Sequence, residues 1–527
     1  MPAAQPSTED GLIRSAERAA ARRDPLTVPA LRPNPELRGL AAQTFSRTAG
    51  APLVAGNDVR LLRDAAENYP AWLQAIAEAR ETICFECYII HDDEAGQLFA
   101  DALIARALDG VRVRVLYDWL GAVGKTGDEY WRRLRAAGVE VRCYNPPRAS
   151  SPFGWLNRDH RKSIVVDGRV AFVSGLCVGQ MWVGDAARGI DPWRDTGVAL
   201  RGPAVADVEQ AFAQVWALLG TPIPRAERTA REALAPAGDV ALRVIAHVPG
   251  TTNLFRLDQL IAVLAQERLW LTDAYFAGTW QYVDALCAAA QDGVDVRLLV
   301  PDASDIPLLR PISRAGYRPL LAAGVRVFEW KGPMLHAKTA VADELWARVG
   351  SSNLNLASWV GNYELDVSVE DAGFAREMAA MYEADLENAT EVVLDARDRV
   401  RRPGAPPGDA LRWRRRPHVR RGGGSVGRVA AGAVRIGNAV SAAVSNKRVL
   451  DTGDATLAAG AGALLVVLGV VSAVWPAVLA WPLAALALWV GVTLLARALR
   501  LRARRRARRA DVPPIEQAPS YPSRREA

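Results

Sequence analysis

The hydrophobic pattern of this chain repeats itself. Residues 101–116 read DALIARALDGVRVRVL, and residues 284–299 read DALCAAAQDGVDVRLL. Each copy opens with apolar residues at helical spacing, breaks at Asp-Gly, and continues as apolar residues alternating with polar ones. That order predicts a helix, a tight turn and a strand. A second shared phrase follows, AAGVEVRCY at 136–144 and AAGVRVFEW at 322–330. Each copy is also preceded by a strand-like run, ETICFECYII or ERLWLTDAYF. Two halves of similar α/β design are therefore expected, each with a largely buried sheet, joined near residues 221–238.

The texture changes after Asp395. Arg, Pro and Gly dominate residues 397–424, which read as a linker, and a helix of small residues is expected near 426–446. Residues 455–475 and 477–496 carry no charge and flank Pro476. Each run is long enough to cross a hydrocarbon core of about 30 Å. The pair reads as a transmembrane helical hairpin; a buried hairpin in a soluble domain would need a very large core. Arg lies beyond both ends, which predicts that the ends and the two halves before them are cytoplasmic, on the inner membrane of the cell. The expected divisions are a basic N-terminal segment (1–50), a first half (51–235), a second half (236–395), a linker and small-residue helix (396–450), the hairpin (451–499) and a basic tail (500–527).

Charge sharpens this reading. The 527 residues carry a formal net charge of +7. Much of the basicity sits at Arg412, Arg414, Arg415, Arg416, Arg420 and Arg421, and again from Arg500 to Arg509. Cations flanking apolar runs point to an anionic membrane surface; no nucleic-acid partner is expected. Residues 10–23 read as a short basic helix, and no apolar segment there suggests a cleaved signal. The five cysteines fit reduced thiols in a cytoplasmic setting. Cys84 and Cys87 form a lone CxxC in a strand-like run, with no second pair to complete a metal site. Gly124, Lys125 and Thr126 mimic the end of a P-loop, but Trp119 stands where such a loop needs glycine. No metal and no cofactor is expected.

The candidate chemistry lies in two octets. His160, Lys162 and Asp167 belong to HRKSIVVD, and His336, Lys338 and Asp343 to HAKTAVAD, so both read HxKxxxxD. The chain has only five histidines and five lysines against 60 arginines. Two of each scarce type in one repeated spacing signal a demand for imidazole and compact ammonium. In a strand, alternation puts the His and Lys on one face, with Arg161 and Ser163 opposite. Such faces suit a phosphodiester. One imidazole attacks phosphorus, the ammonium groups neutralise the non-bridging oxygens, and the other imidazole serves as acid and then base.

On these motifs the sequence resembles the phospholipase D superfamily, and within it the bacterial cardiolipin synthases, over residues 55–395. The resemblance implies two phospholipase D-type halves, each a mixed sheet flanked by helices, forming one pseudo-twofold catalytic unit with His160, Lys162, Asp167, His336, Lys338 and Asp343 catalytic. It also implies His160 as nucleophile, forming a phosphohistidine, and His336 as general acid/base. Gly350, Ser351 and Asn353 match the family's phosphate-binding GSxN. Asp195 and Glu364 stand where the family places carboxylates that orient an imidazole. The first half departs from GSxN, with Ser174, Gly175, Leu176 and Cys177. The implied substrates are phospholipids, phosphatidylglycerol or similar. The implied reaction is phosphatidyl transfer; hydrolysis to phosphatidic acid is the alternative, and a nuclease is disfavoured by where the basic residues lie.

Overall fold

The computed structural model describes residues 43–147, 157–306 and 313–394 except 315, then 400–401 and scattered positions between 463 and 499. Apart from those scattered positions and Val400–Arg401, the predicted hairpin, linker, basic tail and N-terminal basic helix lie outside the described residues. No described helix is long and apolar enough to cross a membrane. The chain divides into two compact units, Met1–Arg47 and Thr48–Ala527, and the sheet lies wholly in the second.

The first half runs β1 (Val54–Arg63), α1 (Asp64–Glu78), β2 (Thr82–Cys87), α2 (Glu94–Leu108), β3 (Arg112–Asp118), α3 (Asp128–Ala136), β4 (Glu140–Tyr144), β5 (Lys162–Val166), β6 (Val170–Ser174), β7 (Thr196–Arg201) and α4 (Val205–Leu218). The second half repeats it as β8 (Val240–His247), α5 (Asn253–Leu264), β9 (Arg268–Thr272), α6 (Trp280–Gln291), β10 (Asp295–Pro301), α7 (Tyr317–Ala322), β11 (Arg326–Trp330), β12 (Thr339–Ala342), β13 (Trp346–Gly350), β14 (Glu364–Glu370) and α8 (Ala372–Glu387). β15 (Ala389–Leu394) and β16 (Val400–Arg401) extend the far edge. The repeated octads at 101–108 and 284–291 fall in α2 and α6, and the alternating runs in β3 and β10.

All sixteen strands form one mixed sheet, in the order β4-β3-β2-β5-β6-β7-β1-β8-β14-β13-β12-β9-β10-β11-β15-β16. β2-β3-β4 and β9-β10-β11 are parallel; the strands between them are antiparallel. The halves meet where β1 pairs with β8, across an irregularity between Val54 and Asn57. The buried Asn57 amide fills that break, donating to Val54 O (2.8 Å) and Val240 O (3.3 Å) and accepting from Ala204 N (2.9 Å). One core spans both halves: Val208, Phe212 and Trp216 of α4 and Met378, Met381 and Tyr382 of α8 cover the middle of the sheet. On the other face of the first half, Tyr69 and Trp72 of α1, Phe99 of α2 and Trp131 of α3 pack on Phe85 and Val115. β2, β5 and β13 are buried along their whole length, as strands covered on both faces are.

Asp167 and Asp343 act on this scaffold. Each follows its strand in a tight hairpin turn at positive φ (52° and 50°). The Asp167 carboxylate accepts from the N–H groups of Arg80, Glu81 and Thr82 at 2.8–2.9 Å. Asp343 accepts from Gln266, Glu267 and Arg268 at 2.8–2.9 Å. Each aspartate thus caps the start of the neighbouring parallel strand, β2 or β9, at the end of β5 or β12 remote from the motif histidine. A strand's length separates both aspartates from the histidine and lysine of their motifs. Asp343→Ala removes three charge-assisted hydrogen bonds and an aspartate from a left-handed turn position, and loses about 1–3 kcal/mol of stability. A lowered urea midpoint at unchanged m-value is the expected reading.

Candidate active site

The two HxK triplets lie at the approach to a strand, not inside one. Lys162 opens β5, and Lys338 immediately precedes β12. The histidines fall outside the strands because their backbones pair across the seam. His160 N donates to Tyr363 O (2.9 Å) and Tyr363 N to Arg158 O (2.8 Å). Symmetrically, His336 N donates to Arg194 O (2.7 Å) and Arg194 N to Met334 O (3.0 Å). Each motif therefore joins the segment just before the other half's orienting carboxylate.

The side chains repeat the crossing. His160 Nδ1 lies 2.9 Å from Glu364 Oε2, and His336 Nδ1 lies 2.7 Å from Asp195 Oδ2. The imidazole of each half is held by the carboxylate of the other. All four groups are buried. A carboxylate on Nδ1 fixes the Nδ1–H tautomer and leaves Nε2 with a free lone pair. Burial and then Lys338 push the His336 imidazole down to about 3, against the opposing pull of Asp195. Burial also lowers His160, with Glu364 opposing. Burial raises the Glu364 carboxyl, but His160 and Lys162 outweigh it and hold the group at about 2. Asp195 is likewise lowered, against burial, by His336 and Lys338.

The lysines complete the site. Each ammonium donates to the carbonyl of its own motif histidine. Lys162 Nζ lies 5.2 Å from the Tyr88 ring centroid and Lys338 Nζ 5.8 Å from that of Tyr275. The same rings flank His160 (4.9 Å) and His336 (5.9 Å). Burial brings Lys338 down to about 8, with Asp195 opposing the shift and Lys162 adding to it. Each lysine's charge reaches the opposite half's imidazole. Both imidazole–ammonium pairs thus share one electrostatic environment.

The GSxN element and its counterpart at Ser174–Cys177 differ for a reason visible in the packing. Ser351 Oγ donates to Glu364 Oε2 (2.5 Å) and accepts from Leu365 N (2.9 Å). The corresponding Gly175 has no room for a side chain: a Cβ would lie 2.2 Å from Asp195 Oδ1. The shorter Asp195 draws its carboxylate closer to the backbone, and Trp182 Nε1 supplies the missing donor at 3.0 Å. At the preceding position the exchange reverses. Gly350 faces Asp366, where a Cβ would lie 2.0 Å from Asp366 Oδ1, whereas Ser174 faces Gly197 across β6 and β7. Asn353 Oδ1 is buried without a protein partner among the described residues, while Cys177 is buried against Cys87 and Ile89. Tyr88, Tyr275, Trp182 and Trp193, the last 5.7 Å from His336, were not singled out in the sequence. The two tyrosines at least stood in the paired runs before each repeat. Among the described residues, no cluster of three or more His, Cys, Asp or Glu is placed to hold a metal.

A family profile described as "Cardiolipin synthase, PLD-like domain" matches residues 72–216 and 260–386. Cardiolipin synthase A of Pseudomonas aeruginosa is 36% identical over 378 residues, covering 69% of this chain and 74% of its own length. The chain belongs to the phospholipase D-like cardiolipin synthase family. Cardiolipin synthase A of Pseudomonas syringae pv. syringae is 33% identical over 372 residues, covering 69% and 75%. The crystal structure of phosphatidylserine synthase from Haemophilus influenzae Rd KW20 shares the fold, with TM-score 0.53 at 15% identity over 66% of this chain and 91% of that one. As a member of this family the chain is an enzyme of the phospholipase D type, a phosphatidyltransferase or phosphodiesterase.

Two outcomes follow from the geometry. Asp195→Asn and Glu364→Gln each present an amide N–H to Nδ1, reverse the tautomer, and reduce turnover by roughly 10³–10⁴-fold in steady-state assays. Because Lys338 titrates near 8, its ammonium is intact below that pH and lost above it. The pH profile of kcat/KM, which reports the free enzyme, accordingly falls about tenfold per unit above pH 8. Lys338→Arg removes that limb, since a guanidinium stays protonated.

Proposed function

We propose that this enzyme is a membrane-anchored cardiolipin synthase, moving a phosphatidyl group from one phosphatidylglycerol to the glycerol hydroxyl of a second through a covalent phosphohistidine. The crossed imidazole–carboxylate pairs carry the reading. They supply two tautomer-fixed imidazoles with two ammonium groups in one site, the set that double displacement at a phosphodiester requires.

In the first step His160 Nε2 attacks phosphorus. The bond from phosphorus to the departing glycerol oxygen breaks, and that oxygen takes a proton from His336 Nε2. Free glycerol leaves. In the second step the acceptor's hydroxyl gives its proton back to His336 as its oxygen attacks, and the phosphorus–nitrogen bond breaks. Lys162 and Lys338 neutralise the non-bridging oxygens, with Ser351 and Asn353 shaping the phosphate pocket. Burial holds His336 neutral, so its role as acid needs an added negative charge. The phosphodiester itself brings that charge and raises the imidazole.

The uncharged runs 455–475 and 477–496 support a C-terminal anchor that holds the catalytic halves at the cytoplasmic face of the inner membrane. Arg-rich flanks would gather anionic lipid there. The test uses the full chain purified in detergent and returned to phosphatidylglycerol vesicles. Cardiolipin and free glycerol in equal amounts are the expected products. Phosphatidic acid as the main product would assign hydrolysis instead, and untouched phosphatidylglycerol would overturn the proposal. Acid-labile, base-stable labelling that maps to His160 is the expected sign of the intermediate; His160→Ala should abolish the label, and His336→Ala should slow both its formation and its turnover.

A further inference from the structure

Two buried arginines stand behind the imidazoles. Arg161, the middle residue of the first HxK, is fully buried. Its Nε donates to Glu364 O (3.1 Å), its Nη1 to Ala211 O in α4 (2.6 Å), and its Nη2 to His247 O (3.0 Å) and Gln214 Oε1 (3.4 Å). The second motif has Ala337 at this position, so the repeat is broken.

The symmetry that exchanges the halves predicts where an equivalent guanidinium belongs. Glu364 corresponds to Asp195, and α4 to α8. His247, which faces Glu364 in the β8–β14 register, corresponds to Asp64, whose backbone N–H reaches Asp195 O at 3.0 Å. A second guanidinium should therefore bridge Asp195 O, α8 and Asp64. One is found there, and it comes from elsewhere in the sequence. Arg194 forks onto Asp385 of α8, with Nε and Nη2 each 2.9 Å from a carboxylate oxygen. Its Nη1 reaches Asp64 Oδ1 (3.1 Å), Thr196 Oγ1 (3.0 Å) and Asp195 O. The symmetric counterpart of Arg194 is Tyr363, whose ring centroid lies 5.3 Å from the Arg161 guanidinium carbon.

On one side the HxK segment supplies the cation, and on the other the carboxylate segment supplies it. We infer that Arg161 and Arg194 are equivalent positioning residues, each clamping the main chain of the carboxylate that orients one imidazole: Arg161 for Glu364 and His160, Arg194 for Asp195 and His336. A planar fork with several donors suits this task, because it fixes a carbonyl and a helix at once. The inference rests on the reading that both histidines carry the reaction.

Relocating the cation tests it. Arg194→Ala lowers kcat roughly 10–100-fold, the usual loss when a group supporting a catalytic side chain is removed, with KM for phosphatidylglycerol changed far less. Adding Ala337→Arg to Arg194→Ala returns a guanidinium from the other segment and restores at least tenfold of the lost kcat, together with the thermal midpoint. Ala337→Arg alone is harmful, because Arg194 already fills the space. The mirror pair, Arg161→Ala with Tyr363→Arg, behaves the same way. If Arg194→Ala yields no folded protein, Arg194→Lys keeps the charge without the fork and shows the kcat loss in a folded chain. A double variant no better than Arg194→Ala in both kcat and midpoint overturns the inference. An inactive wild type would instead overturn the proposed function, and the midpoints would still report the relocation.

Discussion

The hydrogen bonds that cross between the halves, Glu364 to His160 and Asp195 to His336, are the constraint on which the rest of the structure depends. Each imidazole needs its partner carboxylate within about a hydrogen bond's length, and the tolerance is a few tenths of an ångström. Meeting that tolerance twice, in opposite directions, requires a rigid relation between two halves that could otherwise hinge. The continuous sheet across β1 and β8, the shared layer of α4 and α8, and the paired backbone at Tyr363 and Arg194 all serve that rigidity. A hinge at the seam would uncouple both imidazoles together.

Burial gives the site its electrostatic character. Two ammonium groups and two carboxylates balance, and burial holds the imidazoles neutral. Unpaired, any of these charges would be very costly to bury. Within this balanced set a phosphodiester is one negative charge too many, and protonation of an imidazole is the available response. On the proposed mechanism, substrate binding and the arming of the acid are one electrostatic event.

Much of this was legible in the sequence, and the gaps have physical reasons. The repeat, the α/β class and the histidine–lysine pairs could be read because periodicity and motif spacing are local properties. The crossing of Asp195 and Glu364 could not, since position along the chain does not say which half a side chain will face. Asp167 and Asp343 shared the motif with His160 and His336 and so looked catalytic. A five- or four-residue strand carries them to the opposite end, where they hold backbone N–H groups. Arg161 and Arg194 escaped notice because they occupy matching places in space from unmatched places in sequence. In the sequence, Ser174 and Gly175 stood only as a departure from GSxN. In the structure it is a set of compensations involving Gly197, Trp182 and the shorter Asp195.

Those compensations bear on how such an enzyme can diversify. In an assembly of two identical copies, any change to one wall of the cleft would be imposed on the other. Covalent fusion removes that coupling, so a methylene shed from one carboxylate can be answered by a glycine nearby while the opposite wall keeps its serine. The Gly175–Asp195 and Ser351–Glu364 combinations are two solutions of one spatial equation, held side by side. Each wall is thereby free to change without a matching change in the other.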